Sequence, residues 1–347
     1  MGLLGETKPV KKPILGVSLY PEQESMEEIE NYLTMASRYG FTKIFTSMFS
    51  VPGKKEEVFD YFKNFCDLAH KHGMKVSGDC NTAFFKKMGA SESDISIFKE
   101  MGIDIIRMDL PYFDQRDVTL INNPYNITIE LSSCMIQAVR MALENGANPK
   151  NFSTCHNFYP ERYTASDLES IRSINKELAT LGIPSAVFIS SNEDNTHGPW
   201  PVHDGLPTVE DHRWIPAELQ VRHWIAVGDV DEIIFGNAFA SEEEFKAIDQ
   251  VMNQAYVNIP KLVGQDYLAE LLPHGDVERV PFKVVLDDGV TDLEKEILFD
   301  NVYHQCGETP YYMIRSRWTR MFYGKKNIPE RKIDEESRLS RKKLFGR

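Results

Sequence analysis

Three acidic residues, Asp79, Asp109 and Glu130, stand at the polar ends of short apolar runs, and Arg107 lies two positions before one of them. Acids gathered in this way can divide a hydrolysis: one protonates a leaving oxygen while another attacks the carbon or activates water, as in glycoside cleavage. At close range two carboxylates repel, so one holds its proton to higher pH and becomes the acid. Strand alternation puts Arg107 and Asp109 on one face, either working together or closing a layer as a structural ion pair. A second cluster, Cys155-His156-Asn157-Phe158-Tyr159-Pro160, crowds an imidazole, an amide and a phenol into the residues before a turn. It reads as a ligand-lining strand end or as a partly buried structural His and Tyr.

Such residues need a frame, and from Ile14 one recurs: an apolar run, polar residues, an amphipathic helix, a glycine, then the next run. The runs are Ile14-Leu19, Lys43-Phe49, Lys75-Cys80, Asp104-Leu110, Asn126-Leu131, Phe152-Phe158, Ser185-Ser190 and Glu232-Asn237. Between them, Met26, Ile29, Leu33 and Ala36, and then Val58, Phe62, Phe65 and Leu68, recur at helical spacing. Gly40, Gly73, Gly102, Gly146, Gly182 and Gly228 each follow such a stretch, where a helix end calls for a left-handed residue. Eight units in about 240 residues predict an α/β fold, a (β/α)8 TIM barrel. A doubly wound sheet would use fewer strands and a Gly-rich phosphate loop, and neither GxGxxG nor GxxxxGK[ST] occurs.

In such a barrel the site lies at the C-terminal ends of the strands. That rule selects Ser18 and Tyr20, Ser47, Asp79 and Asn81, Arg107 and Asp109, Glu130, then His156, Asn157 and Tyr159, Ser190, Asn192 and Glu193, and Asn237. The stretch from Asn192 to Arg213 is long for a βα loop and reads as a lid or substrate wall, with Trp200 as a sugar platform or as packing. His203, His212, His223, Asp204 and Asp211 match no familiar ligand spacing, so no metal and no cofactor is implied. The barrel is placed at residues 12–258. Shorter apolar runs over 261–325 suggest a small β-rich C-terminal domain, and 326–347 a basic tail. Arg315 and Arg317 alternate onto one face there, to clamp a phosphate or to form a charged edge.

The composition, 42% hydrophobic and 26% charged, is that of a soluble globular protein. A formal charge of -13 disfavours nucleic acid and anionic membranes as partners, and no apolar stretch is long enough to span a bilayer. Met1 to Lys12 lacks the apolar run of a signal peptide, and five scattered cysteines without a CxxC pair suit a reducing compartment. The expectation is a cytoplasmic protein that acts on a small molecule, compatible with a homodimer without requiring one.

Several stretches are similar to the bacterial 6-phospho-N-acetylmuramidase family of the MupG type. They include Leu15-Gly16-Val17-Ser18-Leu19-Tyr20-Pro21, Gly102 to Asp109, His156-Asn157-Phe158-Tyr159-Pro160, Gly198-Pro199-Trp200-Pro201 with Gly205-Leu206-Pro207-Thr208, Gly236-Asn237-Ala238 and Ile314-Arg315-Ser316. The resemblance implies a (β/α)8 barrel followed by a small β domain, the stretch after Arg320 being short for a complete one. It also implies hydrolysis of a 6-phosphorylated MurNAc-GlcNAc disaccharide in cytoplasmic peptidoglycan recycling. On it, Asp109 and Glu130 are expected to be the carboxylate pair, with Asp79 in reserve. Ser18, Tyr20, Arg107, His156, Asn157, Tyr159, Asn192, Trp200 and Asn237 would line the sugar, and Arg315 and Arg317 would hold its phosphate. A phosphosugar lyase or epimerase is the alternative, though no strand-terminal lysine is evident; a non-catalytic sugar-phosphate binding barrel is another.

Overall fold

The apolar runs form eight parallel strands that hydrogen-bond in sequence order and close into a barrel. The computed structural model describes residues 12–48, 51–160, 164–199 and 204–253, and the backbone of short strands at 284–285, 311–315, 320–324 and 331–332. The barrel strands are β1 (Ile14–Leu19), β2 (Phe41–Ser47), β3 (Lys75–Cys80), β4 (Ile105–Met108), β5 (Thr128–Ser132), β6 (Phe152–Cys155), β7 (Ser185–Ile189) and β8 (Glu232–Phe235). The helices are α1 (Met26–Arg38), α2 (Lys55–Lys71), α3 (Thr82–Met88), α4 (Ser96–Met101), α5 (Gln115–Ile121), α6 (Ile136–Glu144), α7 (Leu168–Leu181), α8 (Ala217–Val227) and α9 (Glu242–Met252). Among the described residues, no helix is long and apolar enough to cross a membrane.

Local chemistry sets these boundaries. Ser25 with Glu28 and Ser241 with Glu244 form capping boxes that start α1 and α9 by satisfying otherwise unpaired N–H groups. All six glycines expected at helix ends have positive φ. The fifth strand begins at Thr128 rather than Asn126, because Asn126 is itself left-handed at φ 58 and turns the chain. The sixth strand stops at Cys155, which leaves His156 to Pro160 as irregular backbone over the barrel end.

Two cores result. The larger packs outward strand residues such as Val17, Ile44 and Ile106 against buried helix residues such as Leu33, Phe62 and Phe98. Each such large side chain contributes roughly 1.5–3 kcal/mol on burial. The smaller fills one half of the barrel with Tyr20, Phe45, Cys155, Ala186, Phe188 and Ile234. The other half is polar: Lys43, Ser77, Asp79, Arg107, Glu130 and Ser153 are all buried.

The loop after β7 is drawn in by close backbone approach. A Cβ on Gly236 would lie 2.3 Å from the Leu206 carbonyl oxygen, and one on Gly198 would lie 2.4 Å from Leu206 Cδ1. Leu206 therefore threads between two positions that tolerate no side chain. Gly236→Ala is expected to cost about 1–3 kcal/mol through overpacking. Thermal melts that match those of the parent protein would overturn this account.

Candidate active site at the barrel mouth

Parallel register sets Asp79 of β3 beside Arg107 of β4, and Arg107 beside Glu130 of β5. Arg107 Nη1 donates to Asp79 Oδ1 at 2.8 Å, and Nη2 donates to Asn157 Oδ1 at 2.6 Å. Asn157 Oδ1 also accepts from Ser132 Oγ at 3.3 Å. One guanidinium thus ties β3, β4 and the segment after β6 into a single surface. Its planar fork suits this task, because its N–H groups point in fixed directions toward two separate acceptors.

Exposure falls inward along this surface. The Asp79 side chain is 12% exposed, Arg107 6% and Glu130 0%. Burial pushes the Asp79 carboxyl up to about 6, with the charges of Asp109 and Glu130 adding to the rise; Arg107 opposes it without cancelling it. For Arg107, burial works against the charge, but Asp79 more than compensates and holds it above its ordinary range. Asp109 lies just past β4, exposed, with its N–H bonded to the Cys80 carbonyl at 2.9 Å.

Glu130 departs from the expected pairing with Asp109. It is wholly enclosed: Lys43 Nζ donates to its Oε2 at 2.9 Å, and Ser77 and Ser153 hydroxyls stand 3.4 Å from its two oxygens. The same Nζ reaches Glu232 Oε2 at 2.5 Å. Burial disfavours the Lys43 charge, but Glu130 and Glu232 outweigh it and hold the ammonium above the usual lysine range. Asp109 and Glu130 therefore do not form a pair of matched exposure facing one substrate.

His156 also departs from expectation. It faces outward, fully buried, with Nε2 at 2.7 Å from Asn175 Oδ1 on α7. Burial lowers its pKa to about 4, leaving a neutral imidazole that ties the segment to α7. Cys155 joins the barrel interior and Asn157 joins Arg107, so alternation sends the residue between them to the other side.

Other expected residues shape the mouth through the main chain. Tyr20, fully buried, donates its hydroxyl to the Gly236 carbonyl, and Ser18 is buried below it on β1. Asn237 is spent on the loop after β7: Nδ2 donates to Ser191 O at 2.9 Å and Thr196 Oγ1 at 2.8 Å, while Oδ1 accepts from Ser191 N at 2.9 Å. Asn192 is exposed and donates to Ile215 O at 3.0 Å. Tyr159 is half-buried, and its hydroxyl accepts from Ser166 Oγ at 3.3 Å. Trp200 and Arg317 lie outside the described residues, and of Arg315 only the backbone, in the 311–315 strand, is described. The expected tail at 326–347 and most of the 261–325 stretch likewise lie outside them. Among the described residues, no group of three His, Cys, Asp or Glu side chains could hold a metal ion.

Two contributors were not singled out from sequence, a seam built by Arg213 with Thr208 and the buried Lys43. Arg213 is buried, forks onto Glu210 at 2.7 and 2.9 Å, and Nη1 donates to the carbonyls of Tyr159, Asp204 and Gly205. Thr208 completes the same seam, donating to Asn157 O at 3.0 Å and accepting from Phe188 N at 2.8 Å. Lys43 is the other; it opens an apolar run, and its even spacing from Phe45 was the available signal that it points inward.

Lys43→Met strands two carboxylates and is expected to cost about 3–5 kcal/mol at neutral pH. Lys43→Met with Glu130→Gln should recover part of the loss, because it removes one of the two stranded charges. Urea midpoints of the parent, the single and the double variant check this; a double variant no more stable than Lys43→Met would contradict it.

Two family models match the chain: 6-phospho-N-acetylmuramidase, N-terminal, over residues 15–250, and 6-phospho-N-acetylmuramidase, C-terminal, over 280–342. Among solved structures, an uncharacterized B. cereus protein is 32% identical, with 88% of this chain and 77% of that one covered at a TM-score of 0.62. A conserved protein of unknown function from Enterococcus faecalis is 22% identical, with 70% and 66% covered at a TM-score of 0.61, a likeness of fold. No protein of curated function matches.

Proposed function

Since the chain belongs to the 6-phospho-N-acetylmuramidase family, a family of glycosidases, we propose that it hydrolyses a 6-phosphorylated MurNAc-GlcNAc disaccharide during cytoplasmic peptidoglycan recycling. In this reading Asp79 is the proton donor and Asp109 the second carboxylate, while Arg107 and Asn157 hold the acid and contact sugar hydroxyls. The carrying observation is Asp79 itself: a nearly buried carboxyl at the mouth, raised to about 6, beside a second acid one strand away. A general acid needs this poise, because it must keep a proton near the working pH and release it to the leaving oxygen.

Charge balance supports the same assignment. Lys43 and Arg107 face Asp79, Glu130 and Glu232, so the network has two cations for three carboxylates. Glu130 and Glu232 share Lys43, which leaves Asp79, with the most exposed side chain along the Asp79–Arg107–Glu130 surface, to take up the extra proton. The lyase alternative would need a free amine, and Lys43 is instead a firmly held cation between two acids. The second, β-rich domain proposed for 261–325 would bring Arg315 and Arg317 to the phosphate; the C-terminal family match spans both.

Turnover should follow the acid form of Asp79. Its carboxyl loses the proton as pH rises through about 6, so kcat/KM for the phosphorylated disaccharide is expected to fall roughly tenfold per pH unit above that point. Asp79→Asn should lose roughly 10²- to 10⁴-fold in kcat, and Asp109→Asn a comparable factor. A rate indifferent to Asp79→Asn, with a profile flat from pH 5 to 8, would sink the assignment.

A further inference from the structure

A cavity of about 520 Å³ opens on the same barrel end, among the loops after β7, β8 and β1 and the adjoining face of α1. Asp79 and Arg107 stand on β3 and β4, across the mouth. The cavity wall is built on a buried dyad: Glu24, with a 1% exposed side chain, accepts the Tyr20 N–H at 3.0 Å and meets His197 Nε2 at 2.9 Å. The His197 ring lies 5.6 Å from Phe239 and 6.3 Å from Tyr20, so one imidazole joins the cavity to the barrel interior.

The lining defines what would fit. Phe239 and Tyr32 supply aromatic surface, their rings 4.8 Å apart. Phe239 holds a left-handed backbone, φ 63, unusual for a bulky residue and of a kind that gathers at ligand sites. Around it stand three amides. Gln23 spends its N–H on Gly198 O at 2.8 Å, leaving its oxygen as an acceptor. The Asn31 and Asn195 side chains make no hydrogen bond among the described residues.

Charge excludes one ligand class. The two acids that line the cavity are both engaged, Glu24 with Tyr20 and His197 and Glu28 with Ser25, and neither lysine nor arginine lines it. A phosphate placed here would meet two carboxylates and no fixed cation. Neutral hydroxyl and acetamido groups would find donors, acceptors and an aromatic floor.

We propose that this cavity is the subsite for the uncharged sugar of the substrate, the one without the phosphate, with Asn31, Asn195 and Gln23 reading its hydroxyl and amide groups against Phe239. The inference rests on the disaccharide-hydrolase reading and adds an orientation to it: the phosphorylated sugar lies away from the β8–β1 sector. It also assigns His197 and Glu24 as positioning residues that fix the cavity wall.

Free N-acetylglucosamine tests the site without catalysis. Saturation-transfer NMR should show it binding the full-length protein, with the signal lost in Asn31→Ala/Asn195→Ala, and a 6-phosphate on the probe should weaken binding. In turnover assays the double variant should raise KM for the phosphorylated disaccharide about tenfold, with kcat changed much less, and should melt at the parent temperature. Failure of N-acetylglucosamine to bind the parent protein, or equal binding and KM in parent and variant, would overturn the subsite. Turnover unaffected by Asp79→Asn would instead overturn the hydrolase reading, so the two failures are separable.

Discussion

One buried ammonium organises the interior of this barrel. Lys43 bridges Glu130 and Glu232 from a position 3% exposed, linking strands β2, β5 and β8 across the inside of the ring. Charges so enclosed persist only when geometry and further hydrogen bonds repay the loss of water, and here two serine hydroxyls attend Glu130 as well. The consequence for function is indirect. The triad encloses Glu130, and its negative charge adds to the rise in pKa of the acid nearer the mouth.

Asp79 is where that field is felt. Burial lifts its pKa, Glu130 and Asp109 add to the lift, and Arg107, although hydrogen-bonded to it, does not bring it back to the usual carboxylate range. The Arg107 contact thus does two jobs: it fixes the carboxyl in orientation through a charge-assisted bond, and it orients Asn157 with its other arm. A structural ion pair and a poised acid are often treated as alternatives, and this site combines them because desolvation outweighs the attraction.

The sequence made the frame plain and the chemistry only in part. Eight runs, helical spacing and glycine stops were enough for the barrel, since each is a local signal that repeats. Positions at strand ends were harder. Asp79 and Arg107 follow from alternation, but Glu130 looks alike in sequence, and only the approach of Lys43 from three strands away sets it apart as an enclosed, paired carboxylate. His156 was misplaced for a local reason, because the single-residue alternation from Cys155 to Asn157 turns it outward onto Asn175. Arg213 carried no periodic signal, since its partners are carbonyls of distant segments that only the folded loop brings together.

The described parts of the two most distinctive stretches, around His156 to Pro160 and Gly205 to Thr208, form one physical unit. Thr208 bonds the Asn157 carbonyl, Tyr159 N–H reaches Pro207 O at 3.3 Å, and Arg213 spans both segments. Leu206 fits only because Gly198 and Gly236 lack side chains. Their shared identity as a motif therefore reflects a seam that closes the β6–β8 side of the mouth, while Asp79 and Arg107 stand on β3 and β4. A mouth divided in this way, with a rigid wall facing a charged one, imposes a direction on any elongated substrate. The wall limits how it can lie relative to the Asp79 carboxyl.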